Sequence, residues 1–410
     1  MPAFPRLPKP IPLIAGLVVT RIIGWGSTFY ALSVLARDIQ RDLSLDVAFV
    51  FGGITLLLLL LLTGAALAPA VGRHLDRAGT RGAMGCGALA CALGLVLLGL
   101  AQGPVSYLAA WVVIGVGHAL SLANVGGVTV AQMMGPRARR VIGLMMLATG
   151  LSSALFWPLT AWLVAQGGWR TTCLIFAALQ IVIVLPIYLA VPRKLASGVA
   201  VPAGAPAAER DEGRLPPAHR RAAFWLVAVV FSASGLVSWG LPLHLIDLLR
   251  DAGIGPTEAV GIAALSGPAT LLARLVDATL GDRLPVEWTA LAGLVLGPLA
   301  CLVLVLAPGT ALAATVFVVS FSAAMGVISV ARATLPLVLF GRDGFGGLMG
   351  RLTVPQNLAF AAAPLLFAAM IAQFGRDLAL IGAAAIQLVA VVAMVALLRL
   401  LARGRDLSRS

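Results

Sequence analysis

The stretch GRHLDRAGTR, residues 72–81, separates two long apolar runs of the chain. Its central Asp76-Arg77 pair returns 206 positions later as Asp282-Arg283, again between two apolar runs. Glycine together with charged side chains is typical of a water-exposed turn. A charged loop that recurs once in this way predicts a chain built from two similar halves.

The composition places the chain among membrane proteins. Of its 410 residues 60% are hydrophobic and 11% are charged, and the mean hydropathy is +1.02. This is too little charge to cover a soluble surface, whereas apolar runs of about 20 residues match a bilayer core roughly 30 Å thick. We expect an all-α polytopic protein with twelve transmembrane helices in two pseudo-symmetric six-helix halves. The candidate segments, numbered 1 to 12 in chain order, are 12–36, 47–71, 82–101, 105–134, 140–165, 171–192, 223–247, 257–280, 286–306, 311–339, 350–374 and 378–401.

A second break in the apolar pattern falls at residues 193–222, where alanine, proline, glycine and charged residues dominate. Such a composition predicts a flexible linker. It divides the chain into an N-terminal six-helix half, residues 1–192, and a C-terminal half, residues 223–410. Several matches between the halves keep their order along the chain: Gly135 with Gly341, Pro158 with Pro364, Trp25-Gly26 with Trp239-Gly240, and Tyr30 with His244.

The net charge of +13 is distributed unevenly along the chain. With the N-terminus in the cytoplasm, five of the 29 Lys and Arg residues lie on the opposite side of the membrane: Arg37, Arg41, Arg170, Arg250 and Arg376. This asymmetry follows the positive-inside rule and predicts cytoplasmic termini in a cell (inner) membrane. The basic excess is then an orientation signal that can also touch anionic lipid, and it does not indicate a nucleic-acid partner.

No pattern in the sequence indicates an enzyme, a metal site or a cofactor. The cysteines lie in apolar segments without metal or redox spacing, and the histidines are scattered. Paired catalytic carboxylates, a phosphate loop and a nucleophile with its base are not recognisable either. The residues concerned are Cys86, Cys91, Cys173 and Cys301, with His74, His118, His219 and His244.

The loop between segments 2 and 3 fits the pattern Gly-x3-Asp-Arg-x-Gly-x-Arg. Through this motif the chain resembles the major facilitator superfamily of transporters, which also has two parallel six-helix halves. The resemblance implies that the loop and its second copy act in gating and do not bind substrate. The alternative is a solvated loop that serves topology alone. The residues concerned are Gly72, Asp76, Arg77, Gly79 and Arg81, with Asp282 and Arg283 in the second copy.

Two shorter patterns loosely resemble the monocarboxylate and oxalate–formate branch of that superfamily. They are Gly-Trp-Gly at residues 24–26 and Arg-Arg-x2-Gly at residues 139–143. Ile22 and Ser27 stand where that branch has an acidic residue and a second tryptophan. The glycine-proline motif of drug–proton antiporters in helix 5 is absent, which argues against drug export.

Inside apolar segments and away from their ends lie the charged residues Arg21, Arg274, Asp277 and Arg332. Each ionised group costs roughly 2.5–3.5 kcal/mol at a helix centre, so it should form a pair, face water or do chemistry. The arginines lie roughly 10–14 Å from the cytoplasmic ends of their segments. Three guanidiniums at one level would attract an anion and suit a carboxylate. Each could instead serve structure.

Asp277 lies three residues after Arg274 and therefore on the same helix face. It is either half of a structural ion pair or a proton site that is released when an anion competes for Arg274. Weaker candidates for substrate contact are Tyr30 and His244, together with His118 and Asn124 in segment 4. Their alternatives are interfacial positions and hydrogen bonds between helices.

The sequence thus predicts a secondary active transporter of a small, carboxylate-like organic anion, coupled to protons and working by alternating access. Its expected partners are the substrate, protons and membrane lipid, and it is expected to be a monomer without cofactors. The alternative is an exporter of a drug-like or otherwise toxic small molecule. That alternative predicts a buried acid in the N-terminal half, and segments 1 to 6 contain none.

Overall fold

The computed structural model describes residues 10–66, 80–122, 129, 150–192, 215, 219–280, 284–340 and 345–407. Every regular element within these ranges is helical. Most of the predicted linker, residues 193–222, lies outside the described residues.

The first part of the chain forms seven α-helices, and two π-helical turns continue some of them. Gly26–Tyr30 connects α1 with α2 through Ala31, and Gln180–Val184 joins α6 to α7. The helices are α1 Pro10–Trp25, α2 Leu32–Leu43, α3 Val47–Ala66, α4 Thr80–Gly99, α5 Pro104–Ser121, α6 Leu151–Leu179 and α7 Leu185–Leu189.

The second part repeats this pattern with a 3-10 turn at Leu241–His244 between its first two helices. The helices are α8 Arg220–Gly240, α9 Leu245–Asp251, α10 Pro256–Ala264, α11 Ser266–Leu280, α12 Val286–Leu306, α13 Ala311–Phe340 and α14 Phe345–Leu407.

Nine helical stretches among the described residues are long and apolar enough to cross a membrane. Two of them contain a glycine with positive φ, Gly168 (74°) and Gly375 (77°), which breaks the helix into two parts. Only glycine adopts this backbone conformation without strain. Counting each broken stretch as two crossings and adding the shorter apolar helix Val47–Leu60 accounts for the twelve predicted segments. The expected all-α polytopic fold is confirmed.

The chain forms two compact units. The first is Met1–Leu45 with Leu56–Ala203, and the second is Asp46–Thr55 with Gly204–Ser410. The beginning of α3 therefore belongs to the second unit, a detail that the repeat pattern did not predict.

Small residues allow close helix packing within the first unit. A Cβ atom on Gly94 of α4 would lie 2.5 Å from Ile114 of α5, and one on Gly117 would lie 2.5 Å from the Cys91 Sγ atom. Since lipid is as apolar as leucine, such close van der Waals packing is a main source of helix association in a bilayer. The α4–α5 pair therefore depends on these glycines.

Candidate functional site

Arg274 and Arg332 come together in the second unit. The Arg274 Nε atom on α11 donates a hydrogen bond to the Ser329 Oγ atom on α13, at 3.0 Å. Ser329 lies three residues before Arg332, about one helical turn away. The positive charge of Arg274 also acts on Arg332. Two of the three predicted arginines therefore share one region between α11 and α13.

The close approach of α11 and α13 explains this arrangement. A Cβ atom on Gly326 would lie 2.8 Å from the Thr270 carbonyl oxygen, so only glycine fits there without movement. The Thr270 hydroxyl donates to the Ser322 carbonyl oxygen at 3.1 Å. Arg274 follows Thr270 by about one turn and therefore faces α13.

The Arg332 guanidinium lies on the face of an aromatic ring, with its Cζ atom 4.8 Å from the centroid of Phe360 in α14. Phe360 in turn stacks on Trp239 of α8, with centroids 5.4 Å apart and planes 15° from parallel. The ring face partly compensates the lost hydration of the cation. The Arg332 Nε atom is buried and has no hydrogen-bond partner among the described residues.

None of the ion pairs found among the described residues joins Asp277 to Arg274. Asp277 is partly exposed, whereas the Arg274 Nε atom bonds to Ser329. Sharing a helix face was therefore not sufficient to join the two side chains.

Arg21 belongs to the first unit. Its Nη1 atom donates to the Leu122 carbonyl oxygen at the end of α5, at 3.0 Å. His118, one turn earlier on α5, is fully buried, and its Nε2 atom makes a short hydrogen bond with the Thr28 hydroxyl. Arg21 thus lies beside a second polar cluster. The sequence singled out His118 but not its contact with Thr28, which is 90 positions away along the chain.

Tyr30 and His244 contact neighbouring helices. The Tyr30 carbonyl oxygen accepts a hydrogen bond from the Trp157 Nε1 atom at 3.1 Å, and the two rings meet edge to face. The His244 Nε2 atom bonds to the Pro364 carbonyl oxygen at 3.1 Å, and the residue is 2% exposed. Both contacts join helices within one unit.

Several predicted residues lie outside the described part of the chain, and Arg81 is an exception. Arg81 is in the first turn of α4 and is partly exposed. The residues outside the described ranges are Gly72, Asp76, Arg77, Gly79, Asn124, Asp282 and Arg283.

Two helical units with guanidinium groups inside apolar spans define a polytopic membrane protein with polar sites at membrane depth. The family described as Major Facilitator Superfamily matches residues 14–267. The chain belongs to this superfamily, which confirms the resemblance carried by the loop motif.

Two curated proteins that are similar to this chain bear the name monocarboxylate transporter 13. The chain is 29% identical over 229 residues to monocarboxylate transporter 13 of Bos taurus, covering 53% of this chain and 51% of the relative. The chain is also 28% identical over 224 residues to the Rattus norvegicus protein of the same name. The chain thus spans about half the length of the curated relatives it matches. The resemblance to the monocarboxylate branch is confirmed.

Solved structures share the fold over nearly the whole chain. A bacterial homolog of the human lysosomal transporter Spinster aligns with a TM-score of 0.69 at 17% identity, covering 97% of this chain and 96% of that one. The nucleoside transporter NupG aligns with a TM-score of 0.72 at 13% identity, covering 94% and 99%. At these identities the likeness concerns the fold alone.

Proposed function

We propose that this protein is a secondary active transporter that moves a small carboxylate-like anion together with protons, by alternating access. The observation that carries the proposal is the hydrogen bond from Arg274 on α11 to Ser329 on α13, about one turn before Arg332. Two like charges close together in a medium of low dielectric constant repel each other. An anion bound beside them would relieve this repulsion.

The geometry suits a carboxylate because a guanidinium presents several donors in a planar fork. Arg332 is partly exposed, and its buried Nε atom has no hydrogen-bond partner among the described residues. The bovine and rat relatives bear the name monocarboxylate transporter, which agrees with this chemistry. Arg21 is our proposed anion contact within the first unit, and Tyr30, His244 and Asn124 are weaker candidates for contact.

Asp277 is our proposed proton site in the second unit. It lies about one turn from Arg274 without an ion pair between them, so an anion on Arg274 would change the field at the carboxyl group. The motif residues Asp76 and Arg77, with Asp282 and Arg283, would serve gating. We propose a monomer in the cell (inner) membrane, with cytoplasmic termini, that is not an enzyme and uses no cofactor.

The substrate class can be tested by counterflow in proteoliposomes that hold the purified protein. Labelled acetate, lactate, benzoate and succinate would be exchanged against the same unlabelled anion, with choline and tetraphenylphosphonium as organic cations. Exchange of at least one carboxylate above protein-free liposomes is expected. Exchange of a cation with silence for every carboxylate would contradict the proposal and favour the exporter alternative.

A further inference from the structure

Two aromatic rings follow the guanidinium of Arg332 in the second unit. Its Cζ atom lies 4.8 Å from the Phe360 centroid, and the Trp239 centroid lies 5.4 Å from that of Phe360. Gly235, one turn before Trp239 on α8, makes this arrangement possible, because an added Cβ atom would overlap the Phe360 ring. The sequence of α8 therefore provides both a ring and the space for its partner.

The two rings are stacked with a sideways offset. Their planes are 15° from parallel, and aromatic planes in contact lie about 3.5 Å apart. A centroid separation of 5.4 Å then corresponds to an offset of roughly 4 Å, the arrangement that aromatic pairs prefer. Neither ring covers the whole face of the other, and both side chains are partly exposed. The pair thus presents flat apolar surface beside a cation.

The surface next to Arg332 must be polar or wet. An arginine inside an apolar span turns its charge to the bundle interior or to a water-filled cavity, since lipid would not solvate it. Arg332 is partly exposed, and its buried Nε atom has no hydrogen-bond partner among the described residues. An anion that binds there from water therefore meets the guanidinium and the Phe360 ring together.

We propose that the transported anion is an aryl carboxylate, whose carboxylate binds Arg332 while its ring lies against the Trp239–Phe360 pair. The distances allow this, because steps of 4.8 and 5.4 Å place the Trp239 centroid at most about 10 Å from the Arg332 Cζ atom. In a bidentate pair the carboxylate carbon lies roughly 4 Å from Cζ, and the ring centre of an arylacetate lies roughly 4 Å further. The substrate ring can therefore reach the aromatic pair while the carboxylate stays on Arg332.

This inference rests on the proposed anion transport and names the class of substrate within it. A phenyl ring that binds against the pair buries far more apolar area than the methyl group of acetate. Phenylacetate should therefore half-saturate counterflow at a concentration at least about tenfold below that of acetate in the wild-type protein. This measurement needs no variant, so it stands even if a substitution prevents folding.

The variant Trp239→Leu tests the stacking contact, because it removes one ring and leaves Phe360 beside Arg332. Half-saturating concentrations would be measured for phenylacetate and for cyclohexylacetate, which is similar in size but not flat. Trp239→Leu should change the ratio of the two concentrations by about 2- to 10-fold at the expense of phenylacetate, and Trp239→Phe should keep most of the wild-type ratio. Trp225→Leu, on the same helix at a 58% exposed position, is the matched control and should keep that ratio.

Equal half-saturating concentrations of phenylacetate and acetate in the wild-type protein would overturn the inference, and so would exchange of aliphatic carboxylates without any aryl carboxylate. An unchanged ratio in a folded Trp239→Leu variant, or an equal change in Trp225→Leu, overturns it as well, since the ring pair would then serve packing alone. If the wild-type protein exchanges no carboxylate of either kind, the proposed function itself is wrong.

Discussion

Replacing Arg274 by alanine tests the anion site of the second unit. The substitution removes a charged hydrogen bond to Ser329, worth about 1.5–3 kcal/mol. It also removes an ionised group whose placement in a span costs roughly 2.5–3.5 kcal/mol. These effects are opposite and similar in size, so the variant should insert and fold.

Transport should respond differently, because Arg274→Ala also removes a charged contact to the substrate. A contact of about 1.5–3 kcal/mol corresponds to about 10- to 150-fold weaker binding. We expect the half-saturating carboxylate concentration for counterflow to rise by that factor. Arg274→Lys is the matched control, since it keeps the charge without the planar fork, and it should show a smaller rise. Wild-type half-saturation in a folded Arg274→Ala variant would refute the reasoning.

Three further predictions each concern a single side chain. Gly326→Leu should separate α11 from α13, lower the free energy of unfolding by about 1–3 kcal/mol and reduce carboxylate exchange. Gly261→Leu, where nothing lies within 4 Å of an added Cβ atom, should change neither quantity. Equal melting temperatures for the two variants would contradict this prediction. Arg170→Ala should lower the free energy of unfolding by about 1–3 kcal/mol, because it removes two hydrogen bonds to backbone carbonyls and a half-exposed ion pair with Asp42. The melting temperature should fall accordingly, and an unchanged melting temperature would contradict this. Phe360→Leu should weaken carboxylate binding by about 0.5–2 kcal/mol, since it removes the ring under Arg332; unaltered half-saturation would show that the ring does not matter.

The sequence predicted the fold because membrane insertion depends on local features. Apolar runs of span length and the charged loop at residues 72–81 are each readable in one stretch of chain. The breaks at Gly168 and Gly375 fall in the gaps that the sequence left between segments 5 and 6 and between segments 11 and 12. The pattern of apolar runs therefore predicted where these two long helical stretches divide.

The sequence could predict which charged residues belong to the candidate site, because burying a charge in an apolar segment is costly. Arg274 and Arg332 are conspicuous as charges in apolar segments. Their contacts with Ser329 and Phe360 depend on the rotation of whole helices, which spacing along one chain does not determine. The ion pair considered between Arg274 and Asp277 illustrates the difficulty, because Arg274 bonds instead to the Ser329 hydroxyl on α13.

The central claim is that a carboxylate moves with a proton. The most direct measurement is the external pH of proteoliposomes when acetate, lactate, benzoate or succinate is added outside, with protein-free liposomes alongside. We expect external alkalinisation with at least one carboxylate, well above the protein-free control. No pH change for any carboxylate that counterflow shows to be transported would contradict proton coupling.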